Sequence, residues 1–172
     1  PELQSVRNAL RQVLAGHEPY PAVLVDRWWE LLDGNAGLAL LTDGCAPWLL
    51  EPPVNVLRLA LHPDGMAPRI GNLAEWRGHL LTQLQHRAQA LGDQGLRELR
   101  DELLSYPGGM TETTAPAGVV LPLRYQLGER ELALFSISAA VGTATDVTVE
   151  ELSIEAFYPA DAATARALRS LG

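Results

Sequence analysis

The sequence predicts an α+β fold, a five-stranded antiparallel sheet with a block of helices packed on one of its faces. Three observations carry this reading. Apolar residues recur at helical spacing near the start and through the middle of the chain; the period changes to two after Gly118; and the order is helix, two strands, several helices, three strands, helix, with no internal repeat. A strand pair and a three-strand meander can join into one sheet, and a small ligand would fit between such a sheet and its helices.

Each element has its own signal. Leu3, Val6, Leu10 and Val13 give an opening helix over residues 2–15, ended by Gly16 and Pro19. Val23–Val25 and Trp29–Leu32 are β-prone and separated by Asp26-Arg27, which predicts a tight hairpin with Trp28 and Trp29 on opposite sides of a strand. Asn35 then opens a short helix through Leu41. On a helix over residues 54–61, Val54, Leu57 and Leu61 form an apolar stripe, while Asn55, Arg58 and His62 form a polar one. Leu73, Trp76, Leu80, Leu84 and Leu91 keep helical phase until Gly92-Asp93, where Leu96, Leu99 and Leu103 begin a further helix. Residues 106–118 are rich in Pro, Gly and Thr and predict a loop. Val119, Leu121, Leu123, Tyr125 and Leu127 then alternate with Val120, Pro122, Arg124 and Gln126. A Gly128-Glu129 turn returns the chain as a partner strand, and Leu152–Tyr158 gives the last one, with Leu152, Ile154 and Ala156 on one face. Thr148–Glu151 offers one capped helical turn as an alternative before it, and Asp161 reads as the N-cap of a final helix.

Composition narrows the function classes. A chain of 172 residues is the size of one domain, and 47% hydrophobic against 20% charged residues is an ordinary globular balance. Thirteen basic residues, all arginine, against twenty-one acidic ones give a net charge of −8, so no broad basic surface is available for phosphates. Cys45 is alone, which excludes an internal disulfide and a multi-cysteine metal site and favours a reducing, cytoplasmic setting. No apolar run is long enough to span a bilayer, and no signal-peptide pattern is present. The histidines His17, His62, His79 and His86 have no metal-site spacing; neither metal nor cofactor is expected. Neither a Gly-x-Ser-x-Gly elbow nor a Gly-rich phosphate loop is present, and no Cys–His partnership is evident; an enzyme is not expected.

Three segments in order carry a resemblance. PAVLVDRWWELLDGNAGLALL contributes Trp29 and Asn35; VNVLRLALHPDGMAPRIGNLAEWRGHLL contributes Asn55, Leu57, Arg58, His62, Pro63, Asn72 and Trp76. The run from Gly142 to Asp161 contributes Gly142, Thr143, Asp146, Val147, Glu151, Leu152, Glu155, Pro159 and Asp161. With these the chain resembles the ligand-binding domain of MmyB-like helix-turn-helix transcription regulators. That resemblance implies a PAS-like fold over residues 21–172, with residues 1–20 as a connecting helix toward a helix-turn-helix domain absent from this chain. DNA would be contacted only through that domain. The resemblance also implies a small lipophilic ligand, fatty-acid binding having been associated with the family, and a homodimer is expected with it.

Under that implication the polar stripe Asn55, Arg58 and His62 becomes the candidate anchor, since a ligand carboxylate needs a charge-assisted partner. Its bland alternative is a solvent face, or Arg58 paired with a carboxylate such as Glu151 or Glu155. Arg124 is a second anchor candidate, its alternation favouring solvent. Leu57, Leu61, Trp76, Phe135, Ile137 and Ile154 are the expected apolar wall. The rival class is an interaction module without a ligand, in which the first and last helices pair with a second copy.

Overall fold

The computed structural model describes residues 2–111, 120–141 and 152–171. The expectations for Gly142–Glu151, for the capped turn before the last strand and for residues 112–118 of the loop fall outside them. The elements run α1 (Glu2–Gly16), β1 (Ala22–Val25), β2 (Leu31–Gly34), α2 (Leu38–Thr42), α3 (Val56–Leu61), α4 (Leu73–Leu91), α5 (Gln94–Leu104), β3 (Leu123–Leu127), β4 (Arg130–Val141), β5 (Leu152–Pro159) and α6 (Ala162–Leu171). Short 3₁₀ turns stand at Pro47–Leu50 and Ala67–Arg69. The strands make the expected five-stranded sheet in the order β2-β1-β5-β4-β3, which brings the first and last strands together at its centre. Two compact units divide the chain, residues 1–43 with 133–172, and residues 44–132.

In the first unit β1 is buried at every position and pairs antiparallel with β2 and β5. The hairpin differs from the tight turn expected. Five residues, 26–30, separate the strands: the Asp26 carboxylate accepts the Trp28 and Glu30 amides, both at 2.9 Å, and so replaces a two-residue turn by an Asp-centred loop. Trp29 sits in that loop at φ 61°, buried, so neither tryptophan lies on a strand. The partnership of Ala22 with Ala156, Leu24 with Ile154 and Ile137 with Ala156 puts these side chains on one sheet face.

Helix α1 covers part of that face. Leu10 and Leu14 are buried against Ala22, Leu24 and Ile154, with Val6, Leu152, Ala156 and Val141 packed around them. Each such leucine contributes about 1.5–3 kcal/mol of burial. The stripe is therefore Val6, Leu10, Leu14, at i, i+4 and i+8, and not the expected one through Val13, which is 55% exposed. At the end of α1 the His17 Nε2–H donates to the Phe157 carbonyl at 2.6 Å, a contact that fixes the tautomer because a carbonyl can only accept. Asp161 accepts from the Thr164 amide at 2.7 Å and caps α6 as expected; that bond holds its carboxyl below the usual range.

The second unit is mainly helical. Asp93 accepts from Leu96 N at 3.0 Å and starts α5, while Gly92, at φ 60°, ends α4 in the left-handed conformation that favours glycine. α4 buries Trp76, Leu80, Leu81 and Leu84, and α5 buries Leu96, Leu99 and Leu103. Strand β3 begins at Leu123, so Val120, Leu121 and Pro122 of the expected alternation stand before it, braced by the Asn72 side chain. Its Nδ2 donates to Pro122 O at 2.7 Å and its Oδ1 accepts from Arg124 N at 3.0 Å. Along β3, Leu123 and Tyr125 are buried while Arg124 and Gln126 are exposed, so Arg124 takes the solvent side.

Candidate functional site

The polar residues of the middle segment come together around the ends of α3. Only six residues of the expected stretch are helical, because Asn55 caps the helix: its Oδ1 accepts from Leu57 N at 3.0 Å and Arg58 N at 3.1 Å. His62 closes the other end through its backbone, and its Nδ1 accepts from Asp64 N at 2.9 Å, leaving Nε2 to carry the proton. Asn55 and His62 thus bound the helix, and Arg58 is the member of the stripe that reaches a partner across helices. Leu57 and Leu61, on the other stripe, are almost fully buried, and so is Trp76 on α4.

Arg58 is paired with a carboxylate that the sequence did not single out. Its Nε and one terminal nitrogen donate to the two oxygens of Glu102 on α5, at 2.7 and 2.9 Å, a bidentate fork. Tyr106 donates its hydroxyl to Glu102 as well. The guanidinium holds the Glu102 carboxyl below its usual range, while the hydrogen bond that Arg58 donates to Glu102 raises Arg58. Burial, followed by the bond to Glu102, pushes the Tyr106 phenol up to about 12. With side chains 34% and 39% exposed, Arg58 and Glu102 face solvent on one side. A row of edge-to-face rings leads away from them: Tyr106 to His62 at 4.9 Å between centroids, and His62 to Trp48 at 4.9 Å. Trp48 is 51% exposed, an indole left in water on a 3₁₀ turn whose neighbour Leu49 is buried. The result is a neutral charge pair beside an aromatic surface.

Nothing in the sequence singles out Glu102 or Trp48. Glu102 is one of several acids on an amphipathic helix, and the only local hint is Tyr106 four residues later, beyond the helix end.

The remaining predicted wall residues, Phe135, Ile137 and Ile154, belong to the first unit. All three lie on the sheet face that carries α1, where Ile154 is consumed by packing on Leu10 and Leu14. Phe135 stacks on Tyr158 with centroids 5.4 Å apart, and Ile137 is 49% exposed. An open cleft of about 550 Å³ in the same unit is lined by Glu18, Pro19, Leu40, Leu168, Arg169 and Leu171 among others. Among the described residues no three His, Cys, Asp or Glu side chains group as metal ligands, and no helix is long and apolar enough to cross a membrane.

A model of the family described as the MmyB-like transcription regulator ligand binding domain matches residues 6–171. No curated protein matches the chain. Among solved structures, the PAS domain of Bordetella pertussis BvgS is similar over 97% of this chain and 94% of its own, at 16% identity and a TM-score of 0.37. The fold rests on the strand order given above and not on that score.

Proposed function

We propose that this chain, which belongs to the MmyB-like transcription regulator ligand binding domain family, senses a small lipophilic molecule with an acidic head, a fatty acid being the fitting class. The observation that carries the reading is Arg58, a partly exposed cation at the end of the ring row Tyr106, His62 and Trp48. Arg58 would take the head group, and Leu57, Leu61 and Trp76 would form the apolar wall of the same unit. Each methylene removed from water adds about 0.8 kcal/mol, so the tail supplies most of the affinity and the arginine the selectivity. Asn55 and His62 support the site by holding α3 and its exit.

Binding would act on DNA through a helix-turn-helix domain of the regulator, in the cytoplasm, and only by favouring one arrangement of the two domains over another. A chain of net charge −8 is ill suited to contact phosphates itself. A homodimer is the assembly proposed with this role; the exposed Val13 on α1 and Ile137 on β4 favour the reading of the domain as a pairing module. The two readings part on one titration. Sodium decanoate followed by calorimetry is expected to bind the wild-type chain and to bind Arg58→Gln about tenfold more weakly, the loss of one charge-assisted contact. Equal binding by both proteins, with the variant still folded by circular dichroism, would remove Arg58 as the anchor.

A further inference from the structure

The ligand role of Arg58 meets an obstacle that the structure itself supplies: the fork is already filled. The Nε and terminal nitrogen that would grip a ligand carboxylate are bound to Glu102 at 2.7 and 2.9 Å, and Tyr106 adds a third donor to the same carboxylate. Arginine offers carboxylates its best geometry along that edge, so an incoming acid and Glu102 compete for the same atoms. We propose that Glu102 is an internal competitor: its side chain occupies the place of the ligand head group, and an acidic ligand binds by carboxylate exchange, taking the Arg58 and Tyr106 donors while Glu102 turns into solvent.

Geometry makes the exchange accessible. Glu102 is 39% exposed and Arg58 34%, so the displaced carboxylate moves into water and not into an apolar core. Charge is conserved: one carboxylate leaves the guanidinium as another arrives, and Arg58 is never left unpaired. The exchange also has a structural consequence, since the Arg58–Glu102 fork joins α3 to α5. Occupancy therefore converts a helix-to-helix bond into a helix-to-ligand bond, which is a change of the kind a sensor needs.

The inference rests on Arg58 being the anchor, and the test separates the two claims. Decanoate is titrated into wild type, Glu102→Gln, Arg58→Gln and the double variant. Glu102→Gln keeps an amide oxygen for Tyr106 and Arg58 but is no longer a charged rival, so decanoate is expected to bind it about fivefold more tightly than wild type, the equivalent of about 1 kcal/mol for a half-exposed pair. Arg58→Gln is expected to weaken binding, and in that background the Glu102 change should have no further effect. Unchanged or weaker binding to Glu102→Gln, while Arg58→Gln still loses affinity, would overturn the competitor and leave the anchor standing. If neither variant differs from wild type, or if decanoate binds none of them, both claims fall. A melting curve for each variant establishes that the compared proteins are folded.

Discussion

Replacing the buried Arg77 by leucine is expected to cost about 3–5 kcal/mol of folding stability, the summed cost of buried carbonyls that lose their donors. Arg77 lies on α4 with only 5% of its surface exposed. It is paired with backbone: one terminal nitrogen lies 3.1, 2.9 and 2.9 Å from the carbonyls of Leu103, Leu104 and Tyr106, and the other donates to Gly109 O at 2.5 Å. The first three carbonyls belong to the last turn of α5 and its exit, where unpaired oxygens and the helix dipole both favour a cation. Gly108 and Gly109, at φ 136° and 66°, let the chain turn there. The following segment then runs so close to α4 that a Cβ at Gly78 would stand 2.6 Å from Thr111 O. Leucine would take the guanidinium away from these carbonyls; Leu103 O keeps the Tyr106 amide at 3.2 Å, and each carbonyl left without a donor costs about 1–3 kcal/mol. Lysine, which keeps the charge but has no planar fork, should recover part of the loss. Urea unfolding of wild type, Arg77→Leu and Arg77→Lys measures it; a loss below about 1 kcal/mol for leucine would contradict the assignment.

Asn35 is expected to be the second most sensitive position, with Asn35→Leu costing about 2–4 kcal/mol. Its side chain, 9% exposed, makes four bonds at the junction of α1, β1 and α2: it accepts from Ala22 N and Gly37 N, both at 3.1 Å, and donates to Leu14 O at 2.9 Å and Tyr20 O at 2.8 Å. Only an amide of this length supplies two donors and two acceptor sites from one short stem. Asn35→Asp keeps the acceptor and loses the amide donors, placing a carboxylate against two carbonyls, so it should be no better than leucine. Thermal unfolding of both variants checks this, and an aspartate variant as stable as wild type would show that the donor half contributes nothing.

Much of the fold was legible because each signal was a local one. The alternation of Leu123, Arg124, Tyr125 and Gln126 gave a strand with the correct inner face, and Leu96, Leu99 and Leu103 gave the buried stripe of α5. Local signals also went astray where a side chain replaced backbone pairing. Asp26 builds its own loop, so the first strand stands where β-propensity marks it while the second begins only at Leu31, and Trp29 leaves the strand altogether. On α1, Val6, Leu10 and Val13 fit a helical period as well as Val6, Leu10 and Leu14 do, and only the position of the sheet decides between them.

The candidate site was less legible for a reason of chemistry. Several residues that carry the family resemblance, among them Asn35, Asn55, Asn72 and Asp161, brace backbone: each caps a helix or ties a loop through its short side chain. Recurring asparagines therefore report on how the chain turns more than on what it binds. Arg58 is the exception that reaches between helices, and its partner Glu102, forty-four residues away, could be found only in three dimensions.

The most direct test of the central claim is native mass spectrometry of the purified chain, followed by organic extraction and mass analysis of whatever it releases. A lipid-sensing domain should show a one-to-one adduct with a small acidic lipid, or its formation on addition of decanoate, and a higher melting temperature with the adduct present. A bare polypeptide mass before and after decanoate, with an unchanged melting temperature, would contradict it.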